Sequence, residues 1–416
     1  MKLTRILHLL ALGGIFLSGM PMTFLPISLS QVFVILLFIL GVYVTRFRIN
    51  KTLFVMLSYM FLISILRLAF LDITNIVEFV RIIIFLSAYY MYLSIIGTNE
   101  IKYVIQKYFS LSLIFSIIGF VQIFGYFFGI GFLYNFSYLD GFERNFGDVN
   151  GILKINSLTQ EPAHFALLMM PCVFFIVKGF FVSGTYAKYD ISKNKVFLIL
   201  LAYCLTFSFV AYTSLIIIFA YHYFTTFKLN SKSILLLIFG CFFVFFFLFY
   251  LDTNISKKKE SLFVDASELQ SAENLSAFAL ISNAQVAWSS ATDNPLGTGF
   301  FTHKNNYDRY IDDFYSLNED SIILNRLDGS SMYVKVLSEY SFIGVFLMLV
   351  LFYRIRYKGK DSFVNEMNSM AIVILLVGFI RLANYTSSVF CFLFALAIYT
   401  HKDIFIKKNN YINEAQ

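Results

Sequence analysis

Long apolar runs separated by short polar segments, most of them basic, make up this chain. About 20 apolar residues cross a bilayer core as a helix. That measure predicts spans near residues 3–22, 24–44, 52–71, 79–96, 108–130, 161–182, 233–251, 329–353, 365–385 and 386–400. Residues 196–227 form one further apolar run, too long for a single crossing and short for two, with Ser208, Thr213 and Ser214 near its middle. The positive-inside rule chooses between the readings. If the run is two short helices hinged near Phe209 to Tyr212, then 20 of the 32 Lys and Arg residues fall in short connections on one side. The opposite face then holds eight, and Arg67, Arg81, Lys335 and Arg381 lie within spans. Read as one crossing, the run would put the late basic loops outside. The pattern therefore predicts an all-α polytopic membrane protein with twelve transmembrane helices and both termini cytoplasmic. Lys2 and Arg5 precede an apolar run with no small-residue cleavage site after it, so that run is expected to be the first membrane helix, not a signal peptide.

The expected organisation is five helices in residues 1–130, then a loop and helices six to nine in 131–251. A large outer loop follows in 252–328, and the last three helices with a cytoplasmic tail in 329–416. The large loop holds twelve acidic and six basic side chains, which long translocated loops tolerate. Within it, Ser267 to Thr292 is apolar at helical spacing and is stopped by Asp293-Asn294-Pro295, predicting an amphipathic helix on the outer surface.

Composition agrees with a membrane protein: 59% hydrophobic and 14% charged residues in 416, with a mean hydropathy of +0.74. The net charge of +7 does not indicate nucleic acid, because the basic residues sit between apolar spans and not on one soluble face. All four cysteines (Cys172, Cys204, Cys241 and Cys391) lie in apolar spans without a CxxC pair, so neither a disulfide framework nor a zinc site is expected.

Candidate chemistry centres on Lys154-Ile155-Asn156-Ser157-Leu158-Thr159-Gln160-Glu161-Pro162-Ala163-His164-Phe165-Ala166. Proline fits best at the first helical position, so a helix should begin at Pro162 with Glu161 flanking it. Its unpaired first-turn amides carry the positive end of the helix dipole, next to a lysine, a carboxylate and a histidine. That is an anion site with acid–base groups attached. An ordinary membrane helix start, with Glu161 answering the dipole and His164 at headgroup level, accounts for the residues equally well. The four intramembrane cations all fall in the outer half of their spans, at snorkelling depth. Lys335 has Glu339 at i+4, which predicts a structural ion pair. Arg67, Arg81 and Arg381 have no comparable partner, although Glu78 stands three residues before Arg81; together they suggest a shared polyanion such as a lipid-linked pyrophosphate.

The Lys154 to Ala166 segment resembles the Arg-x-x-Ser…Glu-Pro-x-His-Phe-Ala pattern of bacterial O-antigen polymerases, the Wzy family, with Lys154 in place of the usual arginine. Asn294-Pro295-Leu296-Gly297-Thr298-Gly299-Phe300 and, later, Glu339-Tyr340-Ser341-Phe342-Ile343-Gly344 resemble the loop and helix motifs shared by O-antigen polymerases and ligases. Ligases typically carry a His-Asn pair just before the last motif. Here the position reads Asp328-Gly329-Ser330, which favours the polymerase. The family's arginine ahead of the long-loop tryptophan is missing near Trp288, so either Arg309 or Arg326 replaces it or that contact is absent.

The resemblance implies a GT-C-like glycosyltransferase of the bacterial inner membrane. Such an enzyme moves a growing glycan from undecaprenyl pyrophosphate onto the next lipid-linked repeat unit at the periplasmic face. It implies Arg81, Lys154 and Arg381 as pyrophosphate-binding residues, assisted by Arg144 and Arg326, with Glu161 or His164 activating the acceptor hydroxyl or ordering the site. No metal or other cofactor is expected. The partners would be the undecaprenyl-pyrophosphate-linked oligosaccharide, the lipid bilayer, a chain-length regulator and a flippase, with no nucleic acid. The alternatives are an O-antigen ligase and, from another class, a flippase or exporter of lipid-linked sugar, whose charges should line a cavity through the bilayer. The helix count is tested by single cysteines at Lys228 and Gln270. In intact cells a membrane-impermeant reagent should label the second and not the first; labelling at Lys228 would overturn the twelve-helix arrangement.

Overall fold

The structure is a computed structural model that describes residues 2–18, 28–46, 50–67, 73–136, 148–149, 151–226, 275–314, 325–327, 329–381 and 385–401. It is all-α apart from a two-residue antiparallel hairpin, β1 (Asp148–Val149) and β2 (Ile152–Leu153). The helices are α1 (Lys2–Phe16), α2 (Leu29–Thr45), α3 (Lys51–Leu66), α4 (Ile73–Phe127), α5 (Gly131–Tyr134), α6 (Pro162–Phe181) and α7 (Thr185–Lys188). They continue with α8 (Lys193–Cys204), α9 (Phe209–Thr226), α10 (Leu275–Asp293), α11 (His303–Tyr310), α12 (Met332–Arg354), α13 (Ser362–Arg381) and α14 (Ser388–His401). Among the described residues six helical stretches are long and apolar enough to cross a membrane: Asn75–Gly97, Glu100–Phe127, Pro162–Phe181, Phe209–Thr226, Met332–Arg354 and Ser362–Ile380. Four further apolar helices, α1, α2, α3 and α14, are shorter. The chain is an all-α membrane protein.

The bundle centre follows from which helices are apolar on every side. Every residue from Phe165 to Val177 of α6 is buried, and so is nearly all of α14. Polar side chains pin the helices to one another. Ser30 Oγ donates to Gly14 O at 2.6 Å and meets Ser388 Oγ at 2.8 Å, joining α1, α2 and α14. Asn368 Nδ2 donates to Ile355 O, Ala397 O and Thr400 Oγ1, each at 3.0 Å, while its Oδ1 accepts from Tyr357 N. At the same end of α13, Glu366 receives Lys178 at 2.6 Å, Lys188 at 2.9 Å and the Tyr189 hydroxyl at 2.5 Å.

Three sequence expectations shift. The predicted spans 79–96 and 108–130 are present as two membrane-length stretches of α4, Asn75–Gly97 and Glu100–Phe127, divided where Gly97 leaves helical geometry (φ 70°), but the connection is so short that Lys102 and Lys107 lie on the second stretch and not in a loop. The long apolar run does break, but at Leu205–Ser208 instead of 209–212. There Thr206 Oγ1 donates to Tyr203 O (2.8 Å) and Ser208 Oγ accepts from Val210 N (3.2 Å), which replaces helical hydrogen bonds one turn earlier than hydropathy suggested. The helix expected over 267–292 is α10, which ends at Asp293; its described apolar face packs on α12 through Ala287, Ala291, Val334 and Leu337, so it belongs to the bundle. The expected span 233–251 lies outside the described residues.

Both breaks are filled from elsewhere in the chain. Leu205 O accepts Ile155 N at 3.0 Å, so the segment before Pro162 docks into the first. The second lies inside α12, where Ser341 leaves helical geometry (φ 58°, ψ −167°). Glu339 O there accepts from Thr298 N (2.9 Å) and Gly299 N (3.0 Å). Gly297 has φ +88°, and a Cβ on it would lie 2.5 Å from Glu339 O. Gly297→Ala should therefore destabilise the protein by at least about 2 kcal/mol, read as a lower melting temperature in detergent, whereas Leu296→Ala, at an exposed neighbouring position, should leave it unchanged.

Candidate functional site

The loop Asn294–Phe300 and the broken turn of α12 build one cradle. Phe300 N donates to Ser64 Oγ (2.9 Å) and Phe300 O accepts from Asn75 Nδ2 (3.1 Å), tying the loop to α3 and α4. Ser338 O, near the same break, accepts from Ser290 Oγ (2.9 Å) and Asn306 Nδ2 (3.0 Å). Two stretches singled out by sequence, 294–300 and 339–344, are thus held against each other by backbone hydrogen bonds.

Charges gather on this cradle. Lys335 and Glu339, one turn apart on α12, are both 0% exposed. The Lys335 charge acts on Glu339, but the two do not form the contact ion pair that their spacing predicts, and each has another partner. The Lys335 ammonium lies 3.9 Å from the centre of the Phe301 ring and donates to Leu327 O (3.2 Å). Glu339 Oε2 accepts the Tyr385 hydroxyl, and Oε1 is buried without a partner. From α4, Arg81 pairs with Glu78 at 2.5 Å, and the field of Lys335 also reaches Glu78, whose Oε2 is buried and unpaired. Arg81 is therefore matched by Glu78, the neighbour three residues earlier in the sequence, and is not one of a set of unmatched cations. Its side chain is 30% exposed, and a guanidinium has more donors than one carboxylate uses.

His303 is the group whose setting the sequence did not reveal. It is fully buried, and the bare Cα of Gly329 lets the ring approach, since a Cβ there would stand 3.2 Å from Nε2. Asn283 Nδ2 donates to Ala279 O (2.6 Å), which leaves its Oδ1 to accept from His303 Nε2 (2.8 Å). Nδ1 is then the unprotonated nitrogen, and it has no partner. Burial, helped by the nearby Lys335 charge, pushes the imidazole down to about 3. A histidine and an asparagine thus meet beside Gly329 although residues 328–330 contain neither. Only the folding of α10 and α11 onto α12 brings them there.

The Glu-Pro segment forms a second cradle. α6 starts at Pro162 with Glu161 as its flanking residue, as predicted, and Glu161 makes no side-chain cap. Gln122 fixes the preceding loop: Oε1 accepts from Ser157 N (2.7 Å), and Nε2 donates to Asn156 Oδ1 (2.7 Å). Ile155 and Ser157 are fully buried, Lys154 is half-buried, and Glu161 and His164 are exposed. Among the described residues, the side chains of Lys154, Glu161 and His164 make no hydrogen bond or ion pair with the Lys335–Glu339 cluster.

Of the remaining candidate cations, Arg326 and Arg309 have partners on the loop surface. Arg326 makes a two-pronged contact with Asp308 on the loop surface, so its charge is answered there. Arg309 lies over the Tyr310 ring at 5.3 Å. Arg381 ends α13, and its side chain lies outside the described residues, as does all of Arg144.

No protein-family profile, curated protein or solved structure matches this chain.

The depressed His303 basicity has a sign that can be checked. The unfolded chain takes up a proton between about pH 6.5 and 3 that the folded state refuses, so stability falls as pH drops through that window. The melting temperature in detergent should decline from pH 7 to pH 5, and His303→Gln should flatten that decline.

Proposed function

We propose that this chain is a polysaccharide polymerase of the O-antigen type. It would move a growing glycan from an undecaprenyl-pyrophosphate carrier onto the non-reducing end of the next lipid-linked repeat unit. The proposed setting is the periplasmic face of a bacterial inner membrane, with twelve helices and both termini cytoplasmic. The observation that carries the reading is the juncture of residues 294–300 with the α12 break, where Arg81 and Lys335 come together beside buried carboxylates. In the reaction the acceptor hydroxyl loses its proton and attacks the anomeric carbon, and the carrier pyrophosphate leaves with the bonding electrons. The leaving group needs cations. Arg81 and Lys335 supply them on one cradle. Lys154 and the amides at the start of α6 supply them on the other, with Arg381 and Arg144 assisting and Arg326 committed to Asp308. Glu161 or His164, exposed at that helix start, takes the hydroxyl proton.

A second reading rests on the meeting of His303 and Asn283 at Gly329. A ligase, which transfers the finished glycan to lipid A core, carries a His-Asn pair just before the last motif, and this pair occupies a comparable place through folding.

One experiment separates the two: deletion of this gene alone, followed by electrophoresis of surface lipopolysaccharide. Loss of a polymerase leaves core bearing one repeat and removes the ladder; loss of a ligase leaves bare core. A bare-core band restored by the plasmid-borne gene would end the polymerase reading. In the complemented strain, Arg81→Ala should reduce polymer at least about tenfold at normal protein abundance, the loss expected from one charge-assisted contact to phosphate.

A further inference from the structure

An apolar groove of about 610 Å³ runs between α3, the first arm of α4, α12 and α14. Its walls are aliphatic and thioether side chains, Val55, Met56, Leu347, Met348 and Leu351 among them, and no Asp or Glu lines it. One mouth is cationic. Lys51 begins α3, Arg354 ends α12 and His401 ends α14, and all three line the groove. The His401 Nδ1 contact with Arg356 O (3.2 Å) places the end of α14 beside that of α12. The other end is closed by Tyr340 and Tyr385. From His401 back to Ser388, where α14 begins just after Tyr385, the rise of the helix gives about 20 Å, close to the length of one extended acyl chain and more than the roughly 15 Å depth of one leaflet.

The charge at the mouth is uncommitted. Lys51 and Arg354 are exposed and have no ion-pair partner among the described residues. Among the described residues, Glu366 is engaged by Lys178 and Lys188, Glu100 by His8, and Asp361 by the amides of Phe363 and Val364. A basic mouth opening from between membrane helices is the arrangement that binds anionic lipid headgroups, and a deep apolar slot behind it orders one chain.

We propose that this groove is a specific site for one acidic glycerophospholipid. Its phosphate meets Lys51 and Arg354, and one acyl chain threads between α3 and α12 towards Tyr340. The inference stands on the groove and its mouth alone and is independent of the function proposed above. It places a lipid chain directly beneath Tyr385, whose hydroxyl holds Glu339.

The test is native mass spectrometry of the full chain in detergent, titrated with phosphatidylglycerol or phosphatidylcholine. Wild type should retain one phosphatidylglycerol at least about tenfold more tightly than phosphatidylcholine. Lys51→Gln combined with Arg354→Gln, at exposed positions, should erase that preference. Met348→Trp, which fills the slot, should weaken both lipids. Equal retention of the two lipids by wild type would make the groove an ordinary annular surface and overturn the proposal. So would a preference that survives in the double variant. Photo-crosslinking from position 348 in native membranes supplies an independent arm: capture of a glycerophospholipid supports the site, and capture of a polyprenyl phosphate assigns the groove to a carrier tail and refutes it. If Met348→Trp does not fold, the charge variant and the crosslink decide the matter without it.

Discussion

A backbone amide or carbonyl at membrane depth has no water to bond, so a helix can be interrupted there only where another part of the chain completes it. That constraint governs this bundle twice. The break at Leu205–Ser208 is completed by Ile155, and the break at Ser341 by Thr298 and Gly299. In each case the completing strand of chain is one of the polar segments that carries the candidate chemistry. The segments before α6 and after α10 are therefore structural parts of the membrane bundle, and neither can be moved without unpairing a helix.

The same logic applies to charge. Lys335 and Glu339 cannot be hydrated at 0% exposure, and an isolated buried ion would cost several kcal/mol. The fold offsets this with mutual attraction, two aromatic rings near the ammonium and a tyrosine hydroxyl on the carboxylate. One oxygen each of Glu78 and Glu339 lacks a well-formed hydrogen bond, with the Thr386 hydroxyl near the first carboxylate and the Phe301 and His303 amides near the second as longer contacts. Buried polar networks left partly unsatisfied are costly, and intramembrane ionisable groups mark functional positions.

Hydropathy made most of the bundle legible. Pro162 at the start of α6 and Asp293 at the end of α10 were readable because proline and the Asp-Asn-Pro stop act locally. The break after Cys204 was displaced by a turn, because Thr206 and Ser208 bond backbone groups, a property that apolar averaging does not register. At Gly97 the two expected spans follow each other almost without a loop, since a positive φ redirects the chain without a polar connection. Least legible was the site. Ser64 and Phe300 meet across 236 positions, and His303 acquires its asparagine and its low basicity only from tertiary packing. The cations proved divisible by partner: Asp308 answers Arg326 and Glu78 answers Arg81, and neither pairing makes a pyrophosphate site by itself.

Glu366 carries a consequence for the order of assembly. Its carboxylate joins Lys178 and Lys188, yet it lies 178 positions beyond Lys188 in the chain. At about 5–20 residues per second of synthesis, the two lysines must wait on the order of ten to forty seconds for their counter-ion. During that interval they are bare positive charges at the end of a newly made hydrophobic helix, the condition in which cations resist translocation and hold a segment's orientation. The same two side chains afterwards form the socket that receives α13.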